Sequence, residues 1–150
     1  MARHLQNFTI NSILFSSILF GVVQQSLAAT QIVNIPGEDR FSPYNLVIHV
    51  GDVVKWVNTD TDSHKIISDD SFTTTDHKGI DVLIKGTLAN GGKPGTFKLL
   101  FKKAGTFVYY CGFHAKLDGS SQPVAPGPFG GIKVKNNFGT PMTGNITVLP

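Results

Sequence analysis

Past residue 29 the chain runs as short apolar stretches broken by clusters of turn-forming residues. Ile32, Val33 and Ile35 predict a first strand, which Pro36-Gly37 ends. Leu46 to Val50 predicts a second, and the turn pair Gly51-Asp52 leads to a third over Val53 to Asn58, rich in β-branched residues and holding the only tryptophan, Trp56. A polar stretch, "NTDTDS", separates it from the apolar "HKIIS". "DVLIKGTL" and "GTFKLLFK" read as further strands on either side of a Gly-rich turn, "GTFVYYC" as another, and "GNITVLP" as the last. No stretch after residue 29 carries an amphipathic helical period. Many short strands with regular turn signals predict an all-β antiparallel sandwich or barrel. Trp56, Phe97, Phe107 and Tyr109 are expected in its core or on a sheet face.

The first residues follow a different pattern. "MARHLQNFT" carries Arg3 and no acidic residue, "INSILFSSILFGVV" is mostly apolar, and Ser26-Leu27-Ala28 supplies small residues at a cleavage position. This is the grammar of a secretory signal peptide over residues 1–28. Its apolar run is shorter than the roughly 20 residues of a spanning helix. Residues 29–150 are then expected to form one exported, periplasmic domain. Cleavage leaves twelve Lys and Arg against ten Asp and Glu, a net +2. The lysines are scattered, with Lys102-Lys103 and Lys133/Lys135 the only clusters. That dispersion argues against a nucleic-acid surface, while a weakly basic face suits docking to an acidic protein.

One segment breaks the rhythm. Between His114 and Met142 lie 27 residues, five of them Gly and four Pro. So many breakers predict an inserted loop over residues 115–141, and loops of this length within a domain are usually functional or mobile.

The chemistry gathers around the single cysteine. Cys111 closes an aromatic strand and has no partner for an intrachain disulfide. His114 follows three residues on, a spacing that lets thiolate and imidazole reach one metal ion from one loop. His64 opens an apolar strand, and Met142, the only methionine outside the first residues, stands at the entrance to the last strand. Two imidazoles, a thiolate and a weak axial thioether make the donor set of a blue-copper site. Asp118 is an oxygen alternative to Met142 as axial group. His49 is expected to be structural or solvent-facing, and His77 to be solvated. The Asn145-Ile146-Thr147 sequon falls on the last strand and carries no weight.

On these residues the chain resembles the cupredoxins, the blue-copper family of plastocyanin, pseudoazurin and amicyanin. The stretch from Phe41 to Asp70 with His64, the run "GTFVYYCGFH", and "MTGNITV" with Met142 stand in the family's order. The resemblance implies a Greek-key β-sandwich binding one type 1 copper through His64, Cys111, His114 and Met142. It implies a monomeric one-electron carrier, not an enzyme, with transient redox-protein donors and acceptors docking near His114. Phe113, and Phe129 or Pro128, would lie at the rim. Four histidines after residue 28 and no His-x-His offer no second copper site of the kind that oxidases need. The alternative is a copper-delivery protein without a redox partner. Two departures stand out: the 27-residue gap before Met142, and Lys65 where many members carry an Asn tying the ligand loops together. Ser63 or Thr61 is the expected substitute for that tie. The inserted loop is expected to pack beside the copper end and to select partners.

Overall fold

The computed structural model describes residues 27–125 and 141–150. Most of the expected signal peptide, and residues 126–140 of the expected inserted loop with Pro128 and Phe129, lie outside them. Among the described residues, ten strands run in chain order: β1 (Thr30–Ile35), β2 (Asn45–His49), β3 (Val53–Asn58), β4 (His64–Ser68), β5 (Asp81–Ile84), β6 (Gly95–Leu100), β7 (Gly105–Cys111), β8 (Lys116–Leu117), β9 (Pro123–Val124) and β10 (Thr143–Leu149). They form a three-stranded sheet in the order β1-β3-β6, a five-stranded sheet β2-β10-β7-β4-β5, and a β8-β9 ribbon. The ribbon is regular structure inside what the sequence predicts to be loop.

The expected sandwich is present, but two of its strand pairings are parallel where the sequence predicts antiparallel ones. β1 pairs with β3 in parallel, and β2 pairs with β10 in parallel. The cause is the path of the chain. β2 leaves the small sheet for the large one, so β1 and β3 enter the small sheet in the same direction. The remaining pairings are antiparallel.

Alternation places the core. Val54 and Trp56 of β3, Phe107, Tyr109 and Cys111 of β7, and Ile146 and Val148 of β10 all point inward and are buried. Trp56 is the hub: it stacks on Phe97 at 5.6 Å and meets the ring of Tyr109 edge-on at 5.4 Å. Burying a ring of that size contributes roughly 3–5 kcal/mol against its truncation to alanine. Gly144 stands opposite Tyr109 in the register of β10 and β7, and a Cβ there would run into the tyrosine ring. The glycine two residues after Met142 is thus a packing requirement of the core.

The large sheet has a consequence for the site. Its neighbours β10, β7 and β4 bring Met142, Cys111 and His64 to one end, although these residues are far apart in the sequence.

Candidate metal centre

His64 is the first residue of β4 and is fully buried. Cys111 is the last of β7, opposite Ile66 in the pairing with β4. The Cys111 sulfur lies 3.6 Å from His64 Nδ1. A tight turn follows Cys111, whose carbonyl accepts from the N–H groups of His114 at 3.0 Å and Ala115 at 2.9 Å. That turn swings the His114 ring over the His64 ring, with centroids 5.0 Å apart. One donor atom from each of His64, Cys111 and His114 falls within 4.8 Å of the others.

Met142 joins them through its backbone. Its carbonyl accepts from the Cys111 N–H at 2.9 Å, and its N–H donates to the His114 carbonyl at 3.3 Å. The two ends of the 27-residue gap are therefore pinned together, and the Met142 side chain is buried. Asp118, the oxygen alternative, is exposed and accepts from the N–H groups of Ser120 and Gln122, closing its own turn.

The donors are prepared for a soft cation. Among the described residues, His114 Nδ1 is buried with no hydrogen-bond partner. An orphaned buried nitrogen is rare because it forfeits its water without replacement. Burial pushes the Cys111 thiol up, against the opposing pull of the Lys65, Phe113 and His114 N–H groups. Ionising such a thiol requires a nearby positive charge, which a bound metal ion provides. Burial also pushes the His114 imidazole down, with Asp39 pulling the other way. A buried thiolate and two imidazoles suit copper in both of its oxidation states. The residues present fit that ion.

The surroundings hold each donor in turn. The Lys65 N–H points at the Cys111 sulfur at 3.4 Å. This backbone contact ties the two ligand segments, the work expected of Ser63 or Thr61. Ser63 instead accepts from the Gly86 N–H, and Thr61 donates to Asp60. His64 Nε2 meets the Asp60 carboxylate at 3.0 Å. Burial pushes that carboxyl up, but the His64 hydrogen bond and the Asp62 and Thr61 N–H groups outweigh it, and the net shift is downward. His114 Nε2 faces Asp39 at 3.5 Å.

Asn58 organises the loop that delivers His64. It is fully buried, donates to the carbonyls of Asp62 and Ile84 at 2.9 and 3.2 Å, and accepts from the Asp60 N–H at 3.0 Å. Sequence reasoning missed Asn58, Asp60 and Asp39. Only Asn58 left a signal, a polar residue at an inward position of β3.

The other histidines stand apart. His49 is exposed on β2, as expected. His77 is half-buried rather than freely solvated: its Nε2 lies 2.8 Å from the Leu100 carbonyl and its ring meets Phe101 edge-on at 4.8 Å. It is an edge clasp for β6 rather than a free side chain.

A family model described as copper binding proteins of the plastocyanin/azurin family matches residues 31–120. Among solved structures, the chain is similar to a purple cupredoxin from Nitrosopumilus maritimus, with 23% identity, 78% of this chain and 97% of that chain covered, and a TM-score of 0.49. It is also similar to amicyanin from Paracoccus versutus, with 17% identity, 78% of each chain covered, and a TM-score of 0.44.

Proposed function

Since the chain belongs to the plastocyanin/azurin family of copper-binding proteins, we propose that it carries single electrons between redox proteins through one type 1 copper. His64, Cys111 and His114 are the proposed strong ligands, and Met142 the weak axial one. The observation that carries this reading is the convergence of one donor atom each from His64, Cys111 and His114 within 4.8 Å, with the His114 Nδ1 buried and without a partner among the described residues. Copper held there supplies a Cu(II)/Cu(I) couple that accepts and returns one electron.

The work of the chain is to keep its donors still while that charge changes. His64 is fixed by Asp60 from behind, Cys111 by its place in β7 and by the Lys65 N–H, and His114 by the turn on the Cys111 carbonyl. Donors that do not move leave little to reorganise when an electron arrives. The complete burial of His64 and Cys111 supports retention of copper over its delivery to another protein. Among the described residues, the donor clusters are this one and Asp39–Asp60–His64, which share His64. A single centre of this donor set suits one-electron transfer.

The His114 edge is the proposed port for partners. Its side chain retains 12% exposure against none for His64, and Phe113 beside it is 37% exposed. Transient docking there by a donor and an acceptor, export under a signal peptide cleaved after Ala28, and a monomeric state in the periplasm complete the proposal.

Copper-loaded protein is expected to show an intense visible thiolate-to-Cu(II) band at one copper per chain, and Cys111→Ser to abolish it. Survival of the colour and stoichiometry in the variant would refute the ligand assignment.

A further inference from the structure

The loop histidine has an acidic neighbour on its outer nitrogen. The chain leaves β1 through a reversal pinned at its base by Asn34 N–H to the Ser42 carbonyl at 2.7 Å and the reciprocal bond at 2.9 Å. The N–H groups of Thr59 and Asp60 donate to the Ile35 carbonyl at 3.0 and 3.2 Å, which locks this reversal beside the loop before His64. At its tip Asp39 takes a left-handed backbone, φ 51°. That conformation is costly for most residues and tolerated by Asp and Asn.

Its two neighbours engage each other. Arg40 donates to Glu38 at 2.9 Å, and both are well exposed. Asp39 is left without Arg40 as a counter-ion and turns inward, its side chain only 7% exposed. There its carboxylate faces His114 Nε2 at 3.5 Å. Asp60 stands at the Nε2 of the other histidine, and Asp39, Asp60 and His64 have donor atoms within 4.8 Å of one another. Both imidazoles thus present Nδ1 to the centre and Nε2 to a carboxylate.

We propose that Asp39 is a positioning residue for His114 and a determinant of the reduction potential of the centre. The inference rests on the reading of His114 as a copper ligand. A carboxylate at Nε2 favours the tautomer that carries its proton there, which leaves the Nδ1 lone pair for the metal. When ionised it also places a negative charge close to the loop imidazole, inside a largely dry boundary where charges are poorly screened. That charge favours the more positive, oxidised centre and so lowers the potential. Burying a carboxylate costs free energy unless it is compensated, and the imidazole N–H and the bound cation supply that compensation.

The test compares Asp39→Asn, which the left-handed backbone accepts, with Glu38→Gln on the same reversal. Asp39→Asn is expected to keep the visible thiolate band, raise the reduction potential, and weaken Cu(II) binding about tenfold or more, with Cu(I) binding weakened by a smaller factor. Glu38→Gln is expected to leave the band, the potential and both affinities unchanged. A second measurement needs no substitution. In the zinc-loaded parent protein, imidazole nitrogen shifts should show His114 bound through Nδ1, with an Nε2–H that exchanges slowly. An unchanged potential and Cu(II) affinity in Asp39→Asn, an equal shift in Glu38→Gln, or a fast-exchanging His114 Nε2–H overturns the inference while the copper site stands. A copper-loaded parent without the thiolate band overturns the site reading itself.

Discussion

Replacing Asn58 by Ala should damage the copper end more than any exposed substitution, through a residue that touches no metal. Three hydrogen bonds disappear: two from Nδ2 to the carbonyls of Asp62 and Ile84, and one from the Asp60 N–H to Oδ1. At a net of about 1 kcal/mol each, the loss is about 3 kcal/mol, and the buried groups left unpartnered add about 1 kcal/mol or more. A small domain has only about 5–15 kcal/mol in total. With a urea slope of about 1.5 kcal/mol per molar, the unfolding midpoint of the metal-free protein should fall by about 2 M or more at an unchanged slope. Asn58→Asp separates the bonds: it keeps the acceptor for Asp60 but turns an oxygen toward two carbonyls, and at neutral pH it should be at least as damaging. The loop from Thr59 to Ser63 carries Asp60 and leads into His64, so copper affinity should fall with stability. A midpoint within 0.5 M of the parent in both variants, with the slope unchanged, would refute this account of the loop.

Removing either imidazole probes depth. His114→Gly should recover a visible copper band with added imidazole, whereas His64→Gly should recover it less readily, because the His64 side chain is wholly buried; equal rescue measured by titration would contradict the port assignment. Asp52 governs part of the acid limb. The N–H groups of His49 and Ala29 donate to its carboxylate at 2.9 and 2.7 Å and hold its pKa below the ordinary 3.8. The folded state therefore binds fewer protons than the unfolded chain in that range. The resulting stability is complete above the ordinary value and is lost as pH falls through the lower folded one. Asp52→Asn should be less stable than the parent near neutrality, with the gap closing in strong acid; a gap that is constant from pH 6 to pH 2 would count against it.

The strands were legible because turn residues punctuate them. β3 runs over Val53–Asn58 and β7 over Gly105–Cys111, as their composition predicts. The donor types were legible because few residues bind copper, and their order along the chain is distinctive. The parallel pairings were not, since they follow from where β2 goes in space rather than from any local pattern. The length between His114 and Met142 sets the axial position apart from the family's short spacing. Two backbone hydrogen bonds hold the ends of that gap together whatever its length, and no spacing rule registers them. Asp39 and Asp60 look like ordinary loop acids until the fold sets them side by side. Asn58 could have been found, because it shares the inward face with Val54 and Trp56, where a carboxamide must find partners.

The pairing of β7 between β4 and β10 makes the metal a witness to strand alignment. A slip of one residue turns every side chain of a strand to the other face. In β7 it would send Phe107, Tyr109 and Cys111 outward and bring Val108 and Tyr110 in, with Gly144 no longer opposite the tyrosine ring it accommodates. A misaligned chain would hold much of its sheet hydrogen bonding and still have its sulfur on the wrong side of the sheet. Such a species would pass a far-ultraviolet measurement of β content yet remain colourless. During refolding, the appearance of colour would time the moment at which three strands remote in sequence have found their final alignment.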